Sequence, residues 1–254
     1  MALIITDDKG NLYDVVDGNL TIKAQPPVVV VPPPASGEVR PANAVPNRTI
    51  PTASGLIAFR TASMGTLTMI RDTTKRQSYL AQVDGNLCPG VAQPTTGQLL
   101  LAGWKRWLSD MLSQADYIRA QAVVESNWYQ WKADGTPSHG DIGNGDSWGI
   151  MQAKPRDNQA SYPLTANSTG FNIDYYLMML AAIFNGDVAY LGETSTPKVN
   201  GLAVPYLPAT RNVARMRLAI GAWYSGQWGD SGALQYLAQI DAALAKQPWA
   251  AAGF

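Results

Sequence analysis

The chain has 254 residues, 46% of them hydrophobic, enough to bury a full core as one large domain or as a domain with a small appendage. Lysine plus arginine and aspartate plus glutamate balance at 19 each, so the basic excess of a phosphate-binding surface is missing and nothing points to a nucleic-acid partner. A single cysteine, Cys88, excludes an internal disulfide, and a single histidine, His139, excludes a His-Glu-x-x-His zinc site.

At the N-terminus, "MALIITDDKG" lacks the basic flank and apolar stretch of an export signal. The aliphatic run "VVVV" at 28–31 falls far short of the roughly 20 residues that span a bilayer. Residues 1–25 alternate apolar and polar positions around the turn signals "DDKGN" and "VDGN", which predicts a small β-meander. Residues 26–47 are proline-rich and read as an extended polyproline-like tether. From 48 to 98 the chain is rich in Thr, Ser and Gly, with β-like runs "GLIAF" and "GTLTMI", and reads as a β/loop-rich segment that either packs on the domain after it or stands apart.

From residue 99 the character changes. "TTGQLLLAGWKRWLSDMLSQ" has helical spacing, with Leu100, Trp104, Trp107, Leu108 and Met111 on one face. "ADYIRAQAVVES", "FNIDYYLMMLAAIFNG", "TRNVARMRLAIGAWYSG" and "SGALQYLAQIDAALAKQ" predict four more helices. All of the tryptophans lie in this part, between 104 and 249, which marks an aromatic-rich α-helical domain over 99–254 as the working one.

Within it, Glu125 shares a helical stripe with Ile118 and Ala122 at i, i+4, i+7 and stands at the end of its helix. Burial and the negative end of the helix dipole both disfavour a carboxylate there and raise its pKa. A carboxylic acid kept protonated near neutral pH is what a glycosidase needs to protonate a leaving oxygen. Position alone leaves a second reading open, that of a solvated charge at a helix end.

The stretch "HGDIGNGDSWGIMQAKP" shifts the weight toward the acid. Glu125-Ser126, a Gly/Asp loop over 140–146, and then Ser147-Trp148-Gly149-Ile150-Met151-Gln152 resemble the signature of soluble lytic transglycosylases and goose-type lysozymes. "FNIDYYLMML" resembles the family's Asn-Ile…Tyr-Leu helix and "GAWYSG" its Ala-Tyr-Asn-x-Gly segment, so the likeness runs over about 99–240 in order. It implies a mainly α, lysozyme-like fold and cleavage of peptidoglycan between N-acetylmuramic acid and N-acetylglucosamine. Glu125 would be the acid and then the base, with neither metal nor organic cofactor. Asp141 matches the loop aspartate of the goose-type pattern and is the candidate second carboxylate; its other reading is a turn aspartate capping backbone amides. The second aspartate of that pattern is Lys154 here, with Asp157 a loose substitute.

Ser126, Ser147, Trp148, Met151, Gln152, Trp223 and Tyr224 are the implied substrate-binding residues. Trp148 offers a face for a sugar ring, and Trp223 or Tyr224 takes the place of the family tyrosine that orients the acid, with core packing as the alternative for both. A Cys88/His139 nucleophile pair lacks an activating helix N-terminus after "GNLCPGV". Two other readings stay open: a chitin-like substrate, and a non-catalytic wall-binding or injection-machinery protein. Residues 1–47 would then engage an assembly partner. Action on the cell wall without an export signal implies delivery by phage lysis, by a virion or by a secretion machine, or secretion by an unknown route.

Overall fold

The computed structural model describes residues 3–6, 12–16, 19–22, 50–140, 147–154, 159–188, 191, 198–199, 202–203, 211–251 and 254, and these are mainly helical. The tether read over 26–47, and the candidates Asp141 and Asp157, lie outside the described residues. Three short strands, β1 (Leu3–Thr6), β2 (Leu12–Val16) and β3 (Asn19–Ile22), pair antiparallel in the order β1-β2-β3, with Leu3 opposite Val15 and Tyr13 opposite Ile22.

The helices begin earlier than the sequence pattern suggests. "GLIAF" lies inside α1 (Ala53–Thr66), "GTLTMI" straddles its end, and α2 (Thr73–Gln82) comes next, so the β/loop-rich reading of 48–98 is corrected. Local caps explain the starts: the Thr52 and Asp72 side chains accept from the Gly55 and Lys75 amides at 3.1 and 3.0 Å. Packing does the rest. Phe59 of α1 is buried and meets Phe171 edge-on at 5.0 Å, so α1 belongs to the same core as the later helices.

α3 (Thr96–Trp107) opens on a capping box between Thr95 and Gln98. It stops at Leu108, short of the single helix read to 114, and Ser109–Gln114 forms a 3-10 stretch with Met111 out of helical geometry. The Trp104 indole donates to the Met111 carbonyl at 2.9 Å and holds that bend. α4 (Asp116–Ser126) carries Glu125 in its last turn. The short α5 (Tyr162–Asn167) leads into α6 (Thr169–Asn185), buried at every residue from Thr169 to Phe184. A helix apolar on all sides is a central helix.

Two buried polar side chains of α6 each hold another element. Asn172 reaches the 147–152 loop, and the Asp174 carboxylate accepts from the Asp84 and Gly85 amides (both 3.0 Å), Arg106 Nη1 (2.7 Å) and Trp107 Nε1 (2.7 Å). After the two-residue ladder β4 (Lys198–Val199) and β5 (Leu202–Ala203), α7 (Val213–Ser225) and α8 (Ser231–Lys246) pack closely. Gly221 makes that approach: a Cβ there would lie 2.9 Å from the Ala233 Cβ.

Candidate active site

Glu125 is half-buried at the C-terminal end of α4. Ala122 and Ile118, one and two turns back on its stripe, are fully buried, so the helix turns the carboxyl toward the interior rather than into open solvent. There it meets α8. Tyr236 Oη donates to Glu125 Oε1 at 2.5 Å. Behind lies Tyr176 of α6, fully buried, whose hydroxyl accepts from Gln121 Nε2.

Burial raises the Glu125 carboxyl to about 7, against the smaller opposing pulls of the Tyr236 hydrogen bond and the Lys154 charge. Burial, then the nearby Glu125 charge, holds the Tyr176 and Tyr236 hydroxyls well above the ordinary tyrosine range. Both phenols therefore stay protonated, Tyr236 as the donor to the carboxyl, and the carboxyl is the group in this cluster that titrates near neutrality.

The 147–152 loop is fastened beside this acid by backbone contacts. Ser126 Oγ donates to the Ile150 carbonyl at 2.9 Å, which makes Ser126 a clasp between α4 and the loop rather than a helix cap. Gln130 Oε1 accepts from the Ile150 amide (3.0 Å), and Asn172 Oδ1 from the Met151 amide (2.9 Å) while its Nδ2 donates to the Trp148 carbonyl (2.7 Å). Gly149 adopts φ +72°, and a Cβ there would collide with the Gln130 carboxamide, so this position requires glycine twice over.

The sequence candidates divide accordingly. Met151 is fully buried and part of the core, which corrects its reading as a substrate contact: an apolar side chain at this register anchors the loop. Gln152 takes a left-handed φ of +45°, and its Nε2 donates to the Gly149 carbonyl at 2.8 Å, so its amide holds the turn. Ser147 lies against Gly140, whose amide donates to the Ser147 carbonyl at 3.1 Å. The Trp148 ring is edge-on to His139 (4.4 Å) and Tyr162 (4.9 Å) in the wall of a cavity whose lining does not include Glu125.

Trp223 is half-buried and meets Tyr176 edge-on at 4.7 Å. Tyr224 is 59% exposed and stacks on Tyr236 at 4.5 Å with rings 4° from parallel. Neither "GAWYSG" aromatic holds the acid; Tyr236 does. Sequence reasoning missed Tyr236, Tyr176 and Gln121 because each sits on a helical stripe that reads as core, as Tyr236 does with Ala233, Leu237 and Ile240. The only signal available was chemical: a buried tyrosine hydroxyl needs a partner, and a buried acid is one.

The Cys88 thiol donates to the Gln98 carbonyl in the first turn of α3 and is pushed up by burial, the opposite of an activated nucleophile. Among the described residues no helix is long and apolar enough to cross a membrane. Comparison of the chain with family models, with curated proteins and with solved structures gives no match.

Proposed function

We propose that this chain has a lysozyme-like helical domain that cleaves peptidoglycan glycan strands between N-acetylmuramic acid and N-acetylglucosamine, with Glu125 as general acid and then base. The observation that carries the reading is Glu125 itself, a carboxyl held near a pKa of 7 at a helix end, half-buried and aimed by Tyr236. Tyr236 engages Oε1, which leaves Oε2 to deliver the proton to the glycosidic oxygen. The order Glu125-Ser126, 147–152, α6 and α7 supports the family resemblance, and the clasp from Ser126 to Ile150 puts its first two pieces side by side.

Once deprotonated, Glu125 takes a proton from the next nucleophile. Lys154 acts on Glu125 as a nearby positive charge and stands where the goose-type pattern has an aspartate. A lysine in place of that aspartate leaves no carboxylate at this position to activate water, and this favours attack by the muramic acid's own 6-hydroxyl, the transglycosylase route. Mass spectrometry of the soluble products of purified peptidoglycan tests the proposal. Fragments ending in 1,6-anhydromuramic acid, one water lighter than hydrolysed ones, are expected, and Glu125→Gln should release none. Reducing-end muramic acid would make the enzyme a hydrolase, and no product from the unaltered chain would end the enzymatic reading.

A further inference from the structure

The cavity that holds Trp148 has a volume of about 550 Å³ and is lined by Lys132, Thr136, His139, Trp148, Tyr162 and Asn167 together with neighbouring prolines and an alanine. Glu125 is not among its walls. Its size is within the ~300–1,000 Å³ of pockets that bury most of a small ligand. Three rings shape it: Trp148, with His139 and Tyr162 both edge-on to it at interplanar angles of 67° and 64°.

Several facts mark this cavity as built. Tyr162, the first residue of α5, is 39% exposed, so an aromatic face is left at the surface. The Trp148 backbone is pinned on both sides: its amide donates to Ala153 O at 3.0 Å, and its carbonyl accepts from the Ala153 amide at 3.0 Å and from Asn172. The hairpin that supplies the opposite wall is pinned too, by Ser138 N to Gln130 O at 2.7 Å and Gly149 N to Ser138 O at 2.9 Å. Aromatic faces on a rigid frame with hydroxyl and amide groups at the edge suit the C–H faces and hydroxyls of a sugar ring. Lys132, exposed at the rim, adds a positive charge.

We infer that this cavity is a second glycan subsite, separate from the cleavage point, which takes a carboxylate-bearing amino-sugar unit with its ring against Trp148 and Tyr162 and its carboxylate toward Lys132. The inference rests on the glycan-cleaving reading for its choice of sugar. The route between the two sites is short in covalent terms: Trp148 walls the cavity and accepts from Asn172, and Ile150, two residues on, is bonded to Gln130 and clasped by the residue after Glu125. Binding energy gathered here holds a strand in place while its scissile bond meets the acid.

The test is calorimetric titration of the full chain carrying Glu125→Gln, which binds without cutting, with two probes. One is a peptide-free tetrasaccharide alternating N-acetylglucosamine and N-acetylmuramic acid, the other the neutral N-acetylglucosamine tetramer. Tyr162→Ala should weaken both by about tenfold, with Tyr162→Phe close to unaltered, because the ring face and not the hydroxyl is used. Lys132→Ala should weaken only the carboxylate-bearing probe, by about three- to tenfold at low salt. Unchanged affinity in Tyr162→Ala overturns the subsite even where the unaltered chain cleaves peptidoglycan. Equal loss for both probes in Lys132→Ala overturns the carboxylate assignment. If the unaltered chain releases no product but the probes bind with this pattern, the subsite stands and the cleavage reading falls.

Discussion

At the scale of single residues the protein is organised around one carboxyl whose protonation is set by its surroundings. Glu125 titrates near 7 because burial outweighs the Tyr236 hydrogen bond and the Lys154 charge. Activity that needs its protonated form should fall on the alkaline side with a midpoint near 7. Tyr236→Phe removes a donor that favours the carboxylate, so the midpoint should move upward by about one unit. A pH–rate profile with an unmoved midpoint would remove Tyr236 from the acid's control. Stability follows the same shift. The folded value lies above the ordinary 4.5, so the contribution of Glu125 is present in full below pH 4.5 and is lost as pH rises through about 7. Glu125→Gln escapes that loss. It should match the unaltered chain in urea unfolding at pH 4 and exceed it by about 2 kcal/mol at pH 8, less than the full shift would give because the side chain is partly solvated.

Glu125 itself was legible in the sequence, because a charge on an apolar helical stripe is a conflict that asks for a reason. Its partner was not. Tyr236 is over a hundred residues away on a stripe of α8 where a tyrosine looks like any core aromatic, and only the packing of α8 against α4 brings the two together. With Trp148 the reverse holds: the motif identified the residue, but the direction of its ring depends on His139 and Tyr162, which no local pattern connects to it.

At the scale of elements, the end of α4 is where local chemistry and the site meet. Asn127 and Trp128 are consecutive non-glycine residues with left-handed φ of 54° and 66°, directly after the acid and its clasp. The Asn127 amide donates to Val123 O at 2.8 Å and the Trp128 amide to Ala122 O at 3.1 Å, which closes the helix in a Schellman-type turn. Trp128 is held in that geometry by its indole bond to Arg119 O at 2.9 Å and by stacking with Trp249 and an edge contact from Phe254. Asparagine tolerates the left-handed region better than a residue with an ordinary Cβ. Asn127→Gly should therefore leave the melting temperature unchanged or raised, and Asn127→Ala should cost about 1 kcal/mol in chemical unfolding. Equal stability of the two variants would show that something other than backbone conformation fixes this turn.

The helices that the sequence predicted well, α4, α6, α7 and α8, each carry a legible stop or a long periodic face; Gly186 and Gly226, for example, adopt φ of 79° and 74° at the ends of α6 and α7. α1 and α2 were not legible for a physical reason. α1 buries only Phe59 and Ser63, and α2 only Arg76, Tyr79 and Leu80, so neither has the apolar stripe that marks a helix from sequence. The buried Arg76 guanidinium donates to the Ile70 and Met64 carbonyls, satisfying the turn between α1 and α2, a role no hydrophobic pattern encodes.

At the scale of the whole molecule, the sequence boundary at 99 cuts through a continuous core. Phe59, Leu67, Ile70, Leu80 and Val83 belong to the same buried cluster as Leu99, Trp104 and the α6 residues. The two parts are joined by directed contacts as well as apolar ones. Tyr79 stacks on Trp107 at 5.9 Å, and the Asp84 and Gly85 amides reach Asp174 of α6. Without those amides Asp174 would keep Arg106 and Trp107 but lose two of its donors while still buried. The loss of apolar contact is worth about 1.5–3 kcal/mol for each large side chain, against a net stability of ~5–15 kcal/mol for a domain. A fragment of residues 99–254 should therefore fail to unfold cooperatively and should bind a hydrophobic dye, whereas a fragment of 50–254 should show a single sharp melting transition. The surfaces bared in the shorter fragment include Phe171 and Tyr175 of α6, which meet Phe59 of α1, and Trp107 of α3, which meets Tyr79 of α2. A sharp, dye-free melt of 99–254 would show instead that α6 can be covered without α1 and α2, and the boundary read from composition would then be the true one.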